Sequence, residues 1–178
     1  LKPQLERLLR TWQPGEVPAK QVADVAPRTS RTLYLLDKPG ADQSVIFTGQ
    51  LIPPRATPDE AAIELMNDVL GGQFTSRLNM NLREDKHWSY GARSFAYDAR
   101  GQRPFLAYAP VQTDKTAPAV TEFVKELTRI RTPATTEEVA RARSYAALGY
   151  AGDFETTTQV ARRMADRVHR LANLVDPR

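Results

Sequence analysis

The order of apolar and polar positions divides the chain into β-hairpins and groups of helices. Four segments are rich in β-branched and aromatic residues and are predicted as strands: residues 32–37, 44–51, 88–97 and 105–112. Turn signals join the members of each pair, Lys38-Pro39-Gly40 in the first and residues 98–101 in the second. The pattern therefore predicts two β-hairpins, one at the start of the domain and one in its middle.

Apolar residues at helical spacing predict helices between and after these hairpins. Thr57-Pro58-Asp59-Glu60 has the form of a capping box, and the helix that it starts should end at Gly71-Gly72. A second capping box, Thr135-Thr136-Glu137-Glu138, precedes a helix with a face of small residues, which we expect to pack closely on a neighbour. That face consists of Val139, Ala142, Ala146 and Gly149. The other predicted helices cover residues 4–12, 74–84, a segment after Asp114, and 156–171.

Hairpins separated by helix groups favour an α+β fold, with an antiparallel or mixed sheet and helices packed on one face as a sandwich or roll. A doubly wound fold requires strict alternation of strand and helix, which this chain lacks. A length of 178 residues suits one domain. Prolines interrupt residues 1–28, so we interpret them as a linker or lead-in and residues 29–178 as the domain. Leu1 is not Met, so we expect a mature or excised piece.

Composition narrows the possible functions. The chain has no cysteine, which excludes disulfides, zinc–thiolate sites and thiol nucleophiles. No apolar run approaches the roughly 20 residues of a membrane span.

The net charge is +4, but basic and acidic residues are interleaved along the chain. The densest basic group lies on the last predicted helix, at Arg162, Arg163, Arg167 and Arg170. No aromatic platform accompanies it, so a solvated or partner-facing surface is favoured over nucleic-acid binding. The cysteine-free, arginine-rich composition favours a bacterial periplasm only weakly.

A self-sufficient active site is not expected. The two histidines, His87 and His169, are far apart in the sequence, and neither has a second ligand at metal spacing. His-x-x-Glu-His and Gly-x-Ser-x-Gly are both absent from the sequence. Glu84-Asp85 adjoins Arg83 and Lys86, which indicates a solvated charged turn. From its residues alone, we interpret the chain as an α+β domain with no self-sufficient active site.

Two neighbouring runs are more distinctive. Residues 70–78 read Leu-Gly-Gly-Gln-Phe-Thr-Ser-Arg-Leu, and residues 81–91 read Asn-Leu-Arg-Glu-Asp-Lys-His-Trp-Ser-Tyr-Gly. Together they resemble the C-terminal, non-catalytic domain of the pitrilysin/insulinase (M16) zinc peptidases. In the family, the corresponding segment has a Gly-rich turn, then Phe-x-Ser-Arg-Leu, then a helix that ends in Leu-Arg-Glu, and finally a loop that leads into Ser-Tyr. The order of elements agrees as well, so the resemblance spans about residues 30–172.

The resemblance implies roles for particular residues. In the family, an arginine at the end of that helix and a tyrosine seven positions later reach the active site of the partner domain and hold the substrate. The matching residues here are Arg83 and Tyr90. A guanidinium and a phenol can both donate to a carbonyl or to developing negative charge. The rest of the motif is interpreted as turn and packing residues: Gly71, Gly72, Phe74, Ser76, Arg77 and Leu78.

The resemblance also implies a partner. Family members pair a metal-free half with a half that carries zinc on His-x-x-Glu-His, in one polypeptide or in two. We therefore expect this chain to bind no cofactor, zinc to lie in the partner half, and peptides to be the substrate. A second hypothesis is an M16-like structural or assembly subunit without activity. A basic nucleic-acid-binding domain is a third hypothesis, and tight, steeply salt-dependent binding of oligonucleotides would distinguish it.

Overall fold

The structure is a computed structural model that describes all residues except 1, 14, 17–20, 22, 100 and 176–178, and of residues 169–175 only the backbone. Three antiparallel strands form its sheet in the order β1-β3-β2. They are β1 (Gln43–Ile52), β2 (Arg93–Ala96) and β3 (Arg103–Gln112). The central strand β3 pairs with both of the others, and its turn from β2 confirms the second predicted hairpin.

Helices account for most of the remaining ordered chain. The α-helices are α1 (Lys2–Leu9), α2 (Glu60–Asn67), α3 (Arg77–Asn79), α4 (Thr116–Arg129), α5 (Thr136–Gly152) and α6 (Thr157–Val175). Two of them continue as π-helix, α2 through Asp68–Gly72 and α3 through Met80–Asp85. A 3₁₀ turn, Thr113–Lys115, leads into α4. Within the described residues, no helix is long and apolar enough to cross a bilayer.

The core lies between one face of the sheet and the helices. Alternate residues of β3 point inward and are buried, as the period of a strand requires. They pack against apolar side chains of α3, α4 and the two π-helical segments. The main members of this core are Leu70, Leu78, Leu82, Phe105, Ala107, Ala109, Val111 and Phe123. The α+β fold with helices on one face is therefore confirmed.

The opposite face of the sheet carries aromatic side chains. Phe47 stacks on Tyr108, its partner across β1 and β3, with ring centroids 5.6 Å apart. Phe95 of β2 meets the same tyrosine edge-on at 6.2 Å. Phe47 remains largely exposed, so this face is covered much less than the helical one.

One predicted strand is wrong. Residues 32–37 form no regular secondary structure and pair with no strand, and the apolar residues 33–36 are 70–91% exposed. The turn that follows does form, with Gly40 at φ 76° and the Ala41 N–H donating to Lys38 O. High β-propensity is not sufficient for a strand, because a strand also needs a partner for its backbone groups. Here β1 takes β3 as its partner instead.

The two capping boxes have different outcomes. The box at Thr135 is confirmed, since its hydroxyl accepts from Glu138 N at 3.2 Å and the Glu138 carboxylate accepts from Thr135 N at 2.8 Å. The prediction of a capping box at Thr57 is wrong, since the cap of α2 has no side-chain hydrogen bond. The carboxylate of Glu60 instead accepts two hydrogen bonds from Arg103, whose side chain is 1% exposed. A buried guanidinium needs a counter-ion, and that requirement outweighs a helix cap.

The helices after α4 leave apolar surface uncovered. Of the small-residue face of α5, only Ala142 is buried, and a Cβ built on Gly149 would meet nothing within 4 Å. The expected close packing along that face is therefore wrong for most of its length. On α6, Met164 and Val168 are exposed. The side chains of His169, Arg170 and Leu171 lie outside the described residues.

Candidate substrate-holding site

Arg83 lies near the end of the π-helix Met80–Asp85, as the sequence predicted for the end of a helix. Its side chain is 42% exposed, and its Nε lies 3.2 Å from the carboxylate of Glu84. The guanidinium carbon sits 4.8 Å from the centroid of the Phe74 ring. Within the described residues, this ion pair uses Nε alone and leaves the two Nη groups of Arg83 free to donate.

The backbone of Arg83 is held by His87. The carbonyl oxygen of Arg83 accepts from His87 N at 3.2 Å and lies 3.0 Å from His87 Nδ1. Since a carbonyl can only accept, this contact requires the hydrogen on Nδ1. His87 has φ 57°, a left-handed conformation that is unfavourable for residues with a Cβ. The ring therefore offsets part of the strain in the turn that follows the helix.

The loop before Tyr90 is fixed to the helix and to the sheet. Leu82 O accepts from Trp88 N at 2.9 Å and from Ser89 N at 3.3 Å. Trp88 O accepts from Gln112 N at 3.0 Å, and the Ser89 hydroxyl donates to Pro110 O at 2.6 Å. These bonds replace the regular strand predicted for residues 88–97, of which only Arg93–Ala96 forms.

Tyr90 directly follows this fixed segment. Its side chain is 86% exposed and projects from a backbone that is held on both sides. On the far side, Asn79 Oδ1 accepts from Ala92 N at 3.2 Å, while Asn79 Nδ2 donates to Phe74 O at 2.7 Å. Asn79 is buried and joins the turn that carries Phe74 to the loop that carries Tyr90. A buried, doubly bonded amide of this kind gives both loops a defined position.

Arg83 and Tyr90 thus both reach solvent from the segment 82–92, in which backbone hydrogen bonds join Leu82 to Trp88 and Ser89; we call this segment the corner of the domain. No hydrogen bond joins their side chains in the part of the chain that is described. Sequence reasoning missed the residues that support them, Asn79 and His87, because neither carries a motif of its own. Phe74 was interpreted as a packing residue, but it is 56% exposed.

The remaining motif residues are structural. Ser76, Arg77 and Leu78 are buried, as their interpretation as packing residues predicts. A Cβ on Gly71 would collide with the backbone nitrogen of Ser94, so glycine lets the π-helix approach β2. The sequence pattern indicates for this glycine the end of a helix and a turn or packing role, and it does not identify β2 as its neighbour.

A buried ion pair holds the helix that leads to Arg83. Arg77 donates from Nε and Nη2 to the two carboxylate oxygens of Glu138, each at 2.6 Å. This pairing lowers the pKa of Glu138 to about 2, against the opposing effect of burial, and raises the pKa of Arg77. The pair fastens the start of α5 to α3, the helix that leads to Arg83.

The corner offers hydrogen-bond donors rather than a reactive centre. Nowhere in the described ranges do three or more His, Asp or Glu side chains cluster as metal ligands. Two depressions of the surface, of about 330 and 430 Å³, include neither Arg83 nor Tyr90 in their lining. What the geometry can do is bind a peptide carbonyl or stabilise an oxyanion that is presented to it from outside.

Comparisons with known proteins place this chain in a family. The peptidase M16 inactive domain matches residues 1–145. Among curated proteins, none matches the sequence. The solved structures compared below have identities below 25%, a level of similarity that shows the fold alone.

Three of these structures are informative. The peptidase M16 inactive domain from Pseudomonas fluorescens has a TM-score of 0.59 at 24% identity, over 62% of this chain and 27% of that one. A protease from Helicobacter pylori has a TM-score of 0.69 at 22% identity, over 78% of this chain and 35% of that one. A Bordetella pertussis Tohama I protein assigned as a zinc protease has a TM-score of 0.59 at 19% identity, over 74% and 73% of the two chains.

This chain spans only 27% and 35% of the first two proteins, so it corresponds to a part of them. The family match extends over residues 1–145 of 178, which is most of the chain. The chain therefore belongs to the family of peptidase M16 inactive domains.

Proposed function

We propose that this chain is the non-metal-binding, substrate-holding half of an M16-type zinc metalloendopeptidase. Peptides are cleaved in a cavity that it forms with a zinc-bearing partner half, in the same polypeptide or in a separate one. The observation that carries the proposal is the exposed donor pair, Arg83 and Tyr90, on a fixed loop of a domain from the M16 inactive family.

The geometry supports a holding role on physical grounds. A flexible donor loses conformational freedom when it binds, whereas a fixed backbone has already lost it. The loop between Leu82 and Ala92 is bonded to the helix, to β3 and to Asn79, yet the side chains of Arg83 and Tyr90 reach solvent. Donors preorganised in this way can hold a substrate backbone or stabilise its reacting carbonyl.

The site also requires a second surface. Arg83 and Tyr90 line neither of the two depressions described above, so enclosure of a peptide at this corner would need a second body. The described residues include no cluster of three or more His, Asp or Glu side chains, and the proposal assigns the zinc ion to the partner half. The zinc-protease assignment of the similar B. pertussis protein agrees with this proposal.

Kinetics of the assembled enzyme test the proposal. Tyr90→Phe removes one donor and leaves the ring, so kcat should fall about 10- to 100-fold if the phenol donates to developing charge. Arg83→Ala should lower kcat/KM at least as much, because the lost group is charged. Tyr145→Phe and Arg131→Ala, which change exposed residues away from the corner, serve as controls and should leave the rates unaltered.

Unchanged kinetics for both site variants would contradict the proposal. An assembled protein that folds normally and cleaves no peptide would favour the structural or assembly subunit instead. Thermal unfolding of each variant separates loss of function from loss of fold, because an exposed phenol contributes little to stability.

A further inference from the structure

Phe74 has an unusual position for a large apolar residue. Its ring is more than half exposed, although it lies only two residues from the buried Ser76. Its carbonyl is fixed by Asn79 Nδ2 at 2.7 Å, so its backbone does not move freely. Burial of the ring does not explain why a phenylalanine occupies this exposed position, but the contact of the ring with Arg83 does.

The ring of Phe74 lies under the guanidinium of Arg83. The distance of 4.8 Å from the guanidinium carbon to the ring centroid is within the range of cation–π contacts. An arginine side chain has many rotamers, and holding it in one of them costs conformational entropy. A fixed aromatic face restricts those rotamers before any ligand arrives and leaves the edge of the guanidinium open.

The two ends of Arg83 are therefore held by different residues. His87 binds its carbonyl through the backbone N–H and the ring Nδ1. Phe74 and Glu84 contact its guanidinium, and Glu84 does so at Nε only. Among the described residues the Nη groups make no hydrogen bond, so they remain available on a side chain whose base and tip are both in contact with other residues.

We propose that Phe74 is a positioning residue for Arg83: its ring sets the orientation in which the guanidinium meets the substrate carbonyl. This inference rests on the proposed substrate-holding role of Arg83. Phe74 itself need not touch the substrate, since it acts through the arginine.

A double-mutant cycle in the assembled enzyme tests the inference. Phe74→Leu keeps an apolar side chain but removes the π-face, and kcat/KM should fall about two- to fivefold. Phe74→Tyr keeps the ring and should retain the parent value. In an Arg83→Ala background, Phe74→Leu should have no further effect, because the group that it positions is gone.

The outcomes are distinguishable. An equal loss from Phe74→Leu in both backgrounds would mean that Phe74 acts through the fold, which would overturn the inference. If Arg83→Ala leaves kcat/KM unchanged, the proposed function fails. The contact between the Phe74 ring and the Arg83 guanidinium is then tested by a separate measurement. For that purpose, arginine-labelled intact protein is examined by NMR. The Arg83 δ-protons should be shifted upfield by the ring current and should lose that shift in Phe74→Leu. Unshifted δ-protons in the parent would refute the contact.

Discussion

Two glycines at the residue scale show how the same amino acid serves opposite purposes. Gly71 faces the backbone of Ser94 and Arg93, with no room for a Cβ, whereas Gly149 on α5 has nothing within 4 Å. Gly71 is required because the π-helix approaches β2 closely, whereas Gly149 only adds to the conformational entropy that the chain loses on folding. The two positions therefore predict opposite responses to the same substitution.

Gly71→Ala should lower the free energy of unfolding by about 1–3 kcal/mol, because backbone on β2 must move to admit the methyl group. Gly149→Ala should raise it by about 0.5–1 kcal/mol, because alanine favours the helix and no atom obstructs it. Urea unfolding of both variants measures the difference. A Gly71→Ala variant as stable as the parent would show that π-helix and strand are not in contact there.

The residue types of the candidate site carry little information on their own, which limited what could be predicted about the site from the sequence. Arg83 and Tyr90 came only from the resemblance to M16 peptidases, since an arginine at a helix end and a tyrosine in a loop are common. Their supports depend on contacts between segments, such as Asn79 bridging Phe74 and Ala92. A pattern of residue types does not encode such contacts before the loops are placed.

At the scale of elements, the Arg77–Glu138 pair connects α3 with the start of α5. The Arg77 guanidinium holds the pKa of Glu138 at about 2, below its ordinary value of 4.5. A carboxylate with a lowered folded-state pKa stabilises the fold above its unfolded pKa. That contribution is therefore complete above about pH 4.5 and declines as the pH falls towards 2.

Glu138→Gln should lower the free energy of unfolding at pH 7 by about 2–4 kcal/mol, because it leaves a buried guanidinium without its counter-ion. It should also reduce the pH dependence of stability between pH 4.5 and 2. Glu137→Gln is the matched control, because Glu137 is adjacent to Glu138 in the sequence but its side chain is exposed. Its effect on the free energy of unfolding should be much smaller than that of Glu138→Gln. Parallel pH profiles for the parent and Glu138→Gln would contradict the assignment.

Elements with strong local signals were predicted well. The capping box at Thr135 and the hairpin between β2 and β3 depend on nearby residues, and both form. Residues 32–37 and the cap at Thr57 were predicted wrongly, because each outcome depends on a distant competitor. Strand β3 is the partner of β1, and Arg103 takes the carboxylate of Glu60. Local propensity does not report such competition.

At the scale of the whole molecule, the domain has one well-covered side and several uncovered apolar surfaces. The outer face of the sheet presents Phe47, and α6 presents Met164 and Val168. The domain corresponds to 27% and 35% of the length of two similar proteins, so it is a part of a larger architecture in those cases. We propose that, in the assembled enzyme, a second half supplies the zinc.

Peptidase activity in material captured with this chain from its native source tests that claim most directly. The captured material is given a quenched flexible peptide with and without a metal chelator. We predict cleavage that the chelator abolishes and that falls when the captured chain carries Tyr90→Phe. Absence of cleavage despite a stably captured M16-type partner, or cleavage that the chelator does not affect, would contradict the account.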